Sequence, residues 1–298
     1  MSEPLDSLLK AGRIAAQVRE RMKEKVKPGV KVIDLCDTAE KMINELGGKP
    51  AFPCNIDIDR VAAHYVSPLG DTIEIQPGQL VKVDVGVHVD GYIADTAVTV
   101  CLDPALKKMA EAAEAALEAA IKAMKTGART SDVGAIIEHL IKNRGFKPIR
   151  NLTGHKLSRY IIHAGKSIPN VKMMIGEKLL EGEVFAVEPF SVLPTAAGEV
   201  RDGAPSNIYR FDRKRNISSG VAKEMLNFIQ AEYRTLPFAS RWVLRRFPGP
   251  DGINAFDELL KSKTIISYPQ LIEKLNGVVA QAEHTVIVTK EGCTVTTR

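Results

Sequence analysis

The stretch that decides the fold is Leu-Val-Lys-Val-Asp-Val-Gly-Val-His-Val-Asp-Gly-Tyr-Ile-Ala-Asp, residues 80–95. Valine occupies every second position from 81 to 89, and this period of two predicts a β-strand. Asp90 and Gly91 then favour a two-residue turn, because glycine tolerates positive φ. A second strand follows the turn, so the segment predicts a β-hairpin.

The turn also predicts which residues face one another. With two residues in the turn, Gly86 lies opposite Asp95, and Asp84 lies on the same face two residues along. The two carboxylates are then diagonal neighbours with Cβ atoms about 7 Å apart or less, and Gly86 leaves the space between them open. Like charges at this separation raise each other's pKa, so the pair must hold a proton or a cation. A metal ion is the stronger interpretation.

Length and composition are those of a soluble globular protein. The chain has 298 residues, 45% hydrophobic and 26% charged, and its net charge of +5 permits nucleic-acid or ribosome contact without arguing for it. The N-terminus is polar and acidic, and no run is long enough to span a bilayer, so we expect neither signal peptide nor membrane segment. The four cysteines form no Cys-x-x-Cys pair, which fits a reducing cytoplasm.

Helical spacing and stop signals predict the order of elements in the rest of the chain. Helices followed by strands occur twice, so we infer two αβ halves that meet near residue 104. The predicted helices are 5–26, 32–46, 105–125 and 131–143, and two further strands are 184–188 and 279–288.

A segment of different composition, residues 191–272, lies between the last two strands. It is rich in arginine and contains helix-like stretches at 218–235 and 254–262. We interpret it as a helical insertion subdomain within a single catalytic domain, 1–298. Its basic cluster at 241–246 is typical of a solvated face.

Three further residues could complete a metal site with the two aspartates. His155 follows Asn-Leu-Thr-Gly, Glu188 ends a strand before a proline, and Glu283 lies within the last strand. Carboxylates in excess over imidazole suit two divalent ions about 3.5–4 Å apart, an arrangement that promotes hydrolysis. Each residue alone also has a structural interpretation, since a buried carboxylate can pair with a basic residue and a histidine can simply pack. His88 lies roughly 13 Å along the strand from Asp84 and is not expected to be a ligand.

Two more histidines, His64 and His163, are not needed to fill the metal set. A neutral imidazole beside a bound carbonyl could donate a hydrogen bond to a developing oxyanion or transfer a proton. The residues alone support a structural role for both equally well.

Together these motifs resemble those of the methionine aminopeptidases. The match covers nearly the whole chain, and the insertion is similar to that of the type 2 enzymes in their short archaeal form. The resemblance implies the pita-bread fold, an α/β (α+β) arrangement of pseudo-twofold halves around a mixed sheet. The matching motifs are Asp84-Val85-Gly86 with Asp95, Asn151 to His155, Ile162 to Gly165, Glu188-Pro189 and Gln281 to His284.

The resemblance also implies a reaction and a set of ligands. The reaction is metal-dependent removal of the N-terminal methionine from peptides and nascent proteins, with a small second residue preferred. A water or hydroxide that bridges two divalent ions, of Co, Mn, Fe or Zn, would attack the carbonyl. Asp84 would bind one ion, His155 and Glu188 the other, and Asp95 and Glu283 both.

Other residues would handle the substrate. Glu188 would relay a proton from the water towards the leaving amine, and His64 and His163 would contact the scissile peptide and its tetrahedral intermediate. An apolar, aromatic wall suits a thioether. The family places parts of this wall at Phe52, Ile162 and Tyr268.

Two other functions stay open. An X-Pro dipeptidase of the prolidase type has the same ligand order, but it generally carries a large extra N-terminal domain, and too few residues precede His64 here for one. A non-catalytic RNA- or ribosome-binding relative would have lost ligands, whereas all five are present. We therefore expect a monomeric enzyme that acts on peptide and nascent-protein N-termini, with at most transient ribosome contact.

Overall fold

The computed structural model describes residues 3–298 as helices packed on short, antiparallel sheets. Within this range every helix is too short or too polar to cross a lipid bilayer. The helices are α1 (Glu3–Lys25), α2 (Val32–Glu45), α3 (Lys107–Ala123), α4 (Thr130–Asn143), α5 (Gly220–Glu232), α6 (Ser240–Arg246) and α7 (Gly249–Lys261). The strands are β1 (Lys49–Pro50), β2 (Asn55–Ile58), β3 (Val61–Ala63), β4 (Leu80–Val89), β5 (Tyr92–Cys101), β6 (Lys147–Pro148), β7 (Thr153–Leu157), β8 (Ser167–Pro169), β9 (Val184–Val187), β10 (Phe190–Val192), β11 (Val200–Phe211), β12 (Phe238–Ala239), β13 (Ile265–Glu273), β14 (Val279–Gln281), β15 (His284–Val288) and β16 (Cys293–Val295).

Two helix-covered halves follow one another along the chain. In the first, α1 and α2 pack on β4 and β5 around a core that includes Val18 and Val83. In the second, α3 and α4 pack against β8, β9 and β15 around a core that includes Ile137 and Val286. The first half ends with β5 at Cys101 and the second begins with α3, which agrees with the boundary predicted near residue 104.

Strands β4 and β5 form the predicted hairpin. Asp90 and Gly91 have φ angles of 52° and 86°, as a turn with two left-handed residues requires. Gly86 lies opposite Asp95, so the predicted register is confirmed. The prediction of an open space at Gly86 was wrong, because the ring of Phe52 fills that space. A Cβ on Gly86 would lie 2.2 Å from the ring, so only glycine leaves room for it there.

The last core strand is interrupted where a continuous one was predicted. Residues 279–288 divide into β14 and β15, and Ala282 and Glu283 lie between them. The Ala282 N–H donates to the Pro189 carbonyl at 3.2 Å, and the Glu283 N–H donates to the Ala97 carbonyl at 3.1 Å. These two bonds lead to different neighbouring segments, so the strand breaks at Glu283, which was expected in mid-strand.

The segment 191–272 contains long strands in addition to the predicted helices. Its helices lie within residues 220–261, and the long strands β11 and β13 pair antiparallel on either side of them. The pairing shifts register twice between Asp202 and Tyr209. Such shifts break the period of two, which is why these strands show no alternating pattern in the sequence. Whether the segment is a subdomain of its own stays a prediction.

The basic cluster at 241–246 is not a uniformly solvated face. Arg241 is fully buried, its Nε donates to Asp37 Oδ1 at 3.2 Å, and its guanidinium also binds Glu40. Trp242 donates to the same Glu40 carboxylate at 2.7 Å. Arg245, on the exposed side, binds Asp37 at 2.6 Å. Helix α6 is therefore attached to α2 through a buried charge pair, and the predicted solvation was wrong for Arg241.

We expect the substitution Arg241→Met to destabilise the fold strongly. Burial raises the pKa of Glu40 even beside Arg241, so loss of the guanidinium would leave a poorly solvated carboxyl group. Removing one partner of a buried pair costs about 3–5 kcal/mol. Urea unfolding monitored by circular dichroism measures this loss.

The matched control is Arg245→Met, which removes a half-exposed arginine bound to the same helix. An exposed pair contributes about 0–1 kcal/mol. Equal losses in the two variants would contradict the buried attachment of α6 to α2.

Candidate metal centre

One cavity of about 260 Å³ brings together all the predicted ligands. Each predicted ligand lies on a strand or directly beside the end of one, so the strands fix the position of its backbone. Four are nine-tenths or more buried, and Glu188 keeps 14% of its side chain exposed. The five residues are Asp84 on β4, Asp95 on β5, His155 on β7, Glu188 after β9 and Glu283 after β14.

The orientation of His155 is set by a backbone carbonyl. Its Nδ1 lies 2.8 Å from the Ile162 oxygen, which can only accept, so Nδ1 carries the proton. Burial lowers the pKa of His155 to about 3, so the ring is neutral and Nε2 holds a lone pair. The Nε2 atom lies 3.3 Å from Glu188 Oε1 and 3.8 Å from Asp95 Oδ2. Three electron-rich atoms this close need a proton or a cation between them.

The carboxylates have the same requirement. Burial raises the pKa of Asp95 to about 7, and burial followed by the charge of Asp95 raises the pKa of Asp84, Glu188 and Glu283 well above the usual range. Within residues 3–298, the buried Oδ1 atoms of Asp84 and Asp95 have no hydrogen-bond partner. Ligand atoms of Asp95, His155 and Glu283 lie within 4.8 Å of one another. This donor set fits divalent cations that accept oxygen and imidazole ligands.

Threonine side chains hold the ligand-bearing segments together. Thr285 Oγ1 accepts from the Asp95 N–H at 2.7 Å and donates to the Asp95 carbonyl at 2.8 Å. Thr96 Oγ1 donates to the Glu283 carbonyl at 2.8 Å. These bonds join β5 to the β14–β15 break, so Asp95 and Glu283 keep a fixed separation.

His64 and His163 both line the cavity. His64 has a left-handed φ of 73°, a conformation that costs energy for a residue with a Cβ and often marks functional sites. Its Nδ1 lies 3.2 Å from the Pro269 carbonyl, and its ring meets the edge of Tyr268. Burial lowers the pKa of His64 to about 4. His163 lies beside His155, with 4.4 Å between ring centroids.

The predicted apolar residues Phe52, Ile162 and Tyr268 also line the cavity. Sequence reasoning missed further parts of the wall, among them residues of β11, β13 and the turn before β12. It also assigned no role to Gln281, although this residue belongs to a matching motif. In the structure the Gln281 Nε2 donates to Glu283 Oε2 at 3.3 Å. The missed wall residues are Ile208, Pro237 and Leu271.

His88 lies in a separate groove between α2 and α5. Its Nδ1 accepts a hydrogen bond from the Gly91 N–H at 3.2 Å, and its ring meets the edge of Tyr160. The prediction that it does not join the five ligand candidates agrees with this position.

Comparison with known proteins assigns the family. The model of metallopeptidase family M24 matches residues 6–290. The methionine aminopeptidase of Thermococcus kodakarensis is 46% identical over 293 residues, which cover 98% of this chain and 99% of that protein. The methionine aminopeptidase of Methanocaldococcus jannaschii is 42% identical over 296 residues, which cover 99% of each. The chain therefore belongs to metallopeptidase family M24, a membership that implies a divalent metal cofactor.

The resemblance to the methionine aminopeptidases of archaea is thereby confirmed. Solved structures confirm the pita-bread fold as well. A thermophilic Arx1 aligns with a TM-score of 0.80 at 19% identity, covering 99% of this chain and 91% of that one. The methionine aminopeptidase of Rickettsia prowazekii aligns at 0.68 and 21% identity, covering 100% and 98%. The prolidase of Pyrococcus furiosus aligns at 0.64 and 18% identity, covering 100% and 64%.

We expect Asp95→Asn to lose both metal retention and hydrolysis. An amide offers one neutral oxygen where the carboxylate offers two charged ones, so the site would hold a divalent ion less tightly. Hydrolysis should fall by about 100-fold or more, since metal ions supply several kcal/mol of transition-state stabilisation. Metal content after dialysis, measured by inductively coupled plasma mass spectrometry, provides the first readout.

The matched control is Asp90→Asn, because this aspartate lies in the turn of the same hairpin and asparagine tolerates its positive φ. The control should retain metal and activity. An Asp95→Asn protein with the metal content of the wild type would show that this carboxylate is not a ligand.

Proposed function

We propose that this protein removes the N-terminal methionine from peptides and nascent proteins with the help of two divalent metal ions. The observation that carries the proposal is the neutral His155 Nε2 facing Glu188 and Asp95 at 3.3 and 3.8 Å in a cavity with an apolar wall. Archaeal relatives named methionine aminopeptidases, at 42–46% identity over nearly the full chain, support the choice of substrate.

The carboxylates and His155 would hold the ions. Following the resemblance to the methionine aminopeptidases, Asp84 would bind one ion, His155 and Glu188 the other, and Asp95 and Glu283 both. The proximity of Asp95, His155 and Glu283, whose ligand atoms lie within 4.8 Å of one another, supports this assignment. When bound, divalent ions polarise a carbonyl and lower the pKa of a water molecule enough to make it a nucleophile at neutral pH. The identity of the ions, among Co, Mn, Fe and Zn, stays a prediction.

The neighbouring groups would handle protons and the peptide. Glu188 would take a proton from the attacking water through its carboxylate and return it to the leaving amine. His64 donates through Nδ1 to the Pro269 carbonyl, so its free Nε2 would accept the N–H of the scissile peptide. His163, exposed at the cavity and beside His155, would donate to the oxygen of the tetrahedral intermediate.

The apolar part of the cavity lining would hold the methionine side chain. Phe52, Ile162 and Tyr268 present ring and alkyl surface, and a thioether packs well against both. A cavity of about 260 Å³ lies just below the usual range of ligand pockets, about 300–1,000 Å³. The proposed preference for a small second residue fits this limited volume.

A hydrolysis assay tests the proposed function. The metal-free protein is supplied in turn with Co²⁺, Mn²⁺, Fe²⁺ and Zn²⁺ and offered Met-Ala-Ser and Ala-Pro peptides, with product separated by chromatography. We expect release of methionine from Met-Ala-Ser only, with at least one of the ions. Cleavage of Ala-Pro alone would indicate a prolidase, and no turnover with any ion would indicate a binding protein of the kind considered for ribosome contact.

We expect His163→Ala to retain metal and to turn over slowly. Its proposed hydrogen bond forms in the transition state, so kcat should fall by about 10²–10³-fold while KM changes little. Steady-state kinetics on Met-Ala-Ser measure the two constants separately. The control is His139→Ala, an exposed histidine of α4 that bonds Asn143. Unchanged kcat in the His163 variant would leave this residue with a structural role only.

A further inference from the structure

A lysine is buried in the strand that carries Asp84. Lys82 lies two residues before Asp84 on the same face of β4 and has no solvent-exposed surface. Its ammonium group donates to the Val279 carbonyl at 2.9 Å and to the Asp59 carbonyl at 3.2 Å. A buried ammonium is unfavourable unless its hydrogen bonds compensate for lost hydration, so these two contacts stabilise Lys82 in its buried position.

The two carbonyls belong to the segments that lead to other site residues. Asp59 begins the turn into β3, and the chain then reaches His64. Val279 begins β14, and the chain then reaches Gln281 and Glu283. The Val279 N–H also donates to the Asp59 carbonyl at 3.0 Å. One ammonium group thus joins the strand of one ligand to the approaches of a second ligand and of His64.

A carboxylate lies across from the lysine. Asp57 on β2 is the register partner of Lys82 and is fully buried. Its Oδ1 accepts from the Tyr65 N–H at 2.6 Å. Burial raises the pKa of Asp57 to about 7, and the positive charge of Lys82 opposes part of that effect. Hydrogen bonding and charge balance are separable, because Lys82 bonds the backbone and faces Asp57 only electrostatically.

We propose that Lys82 is a positioning residue of the metal centre: its hydrogen bonds to the Asp59 and Val279 carbonyls set the separation of Asp84, Glu283 and His64. The inference rests on the proposed function, since it concerns the same centre. The role of Lys82 is indirect, because its ammonium group bonds backbone carbonyls and no ligand atom. Outer residues that orient ligands typically change metal affinity by about 10–100-fold when removed.

The test is Lys82→Met, which keeps the length of the side chain and removes its charge and its donors. We expect the dissociation constant for Mn²⁺, measured by electron paramagnetic resonance, to rise about 10–100-fold. We also expect the visible absorption spectrum of the Co²⁺-loaded protein to change, because altered ligand positions change the coordination. The matched control is Lys147→Met, which removes a partly buried ammonium that bonds the Ala196 carbonyl at 2.9 Å.

A second variant separates positioning from charge balance and from folding. Asp57→Asn combined with Lys82→Met removes both buried charges, so the protein keeps a neutral core even if the single variant does not fold. We expect the double variant to fold and still to bind Mn²⁺ about 10–100-fold more weakly, since the carbonyls lack their donor. A double variant with the Mn²⁺ affinity and Co²⁺ spectrum of the wild type would overturn the positioning role.

The outcomes also distinguish this inference from the proposed function. Wild-type protein that binds Mn²⁺ but fails to cleave Met-Ala-Ser would count against the proposed function alone. Wild-type protein that cleaves the peptide, with a Lys82→Met variant of unchanged Mn²⁺ affinity and lower unfolding free energy, would make Lys82 a structural residue and overturn the inference.

Discussion

The pairing of β4 with β5 is the constraint on which the metal centre depends. A slip of one residue in this hairpin would turn Asp84 to the opposite face of the sheet. Two features prevent the slip. The Asp90–Gly91 turn fixes the register from one end, and the alternate residues Val83 and Val85 are buried in the core that α1 and α2 cover. The same alternation along β4 thus directs its valines into the core and Asp84 into the cavity.

The cost of this arrangement is electrostatic. Several carboxyl groups buried in one cavity raise one another's pKa, and each resists ionisation until a cation is near. The sheet tolerates this because the backbone around the ligands is tightly bonded, through Thr96 and Thr285 on one side and through Lys82 on the other. Binding of divalent ions would convert a destabilising cluster into a stabilising one, so metal affinity and folding stability are linked.

The parts of the structure that the sequence predicted are those decided by neighbours along the chain. Helices α1–α4, the turn at Asp90 and the register at Gly86 follow from spacing and turn chemistry. The parts that it missed depend on distant residues. Phe52 fills the space at Gly86. Arg241 can be buried because its guanidinium group binds Glu40, which is 201 residues away in the sequence. Strand β11 was missed for a different reason, because its bulges interrupt the alternation on which strand prediction relies.

His155 and His64 have the same protonation state but different neighbours. Both are kept neutral by burial, and both direct Nδ1 to a backbone carbonyl, so both present Nε2 as an acceptor. For His155 the surroundings of Nε2 are the carboxylates of Asp95 and Glu188, and a cation is the partner that satisfies all three. The ring of His64 instead meets the edge of the Tyr268 ring, and under the proposed function its Nε2 would accept an N–H of the peptide. The motifs contain both histidines without distinguishing these roles, whereas the distances from His155 Nε2 to the two carboxylates set His155 apart.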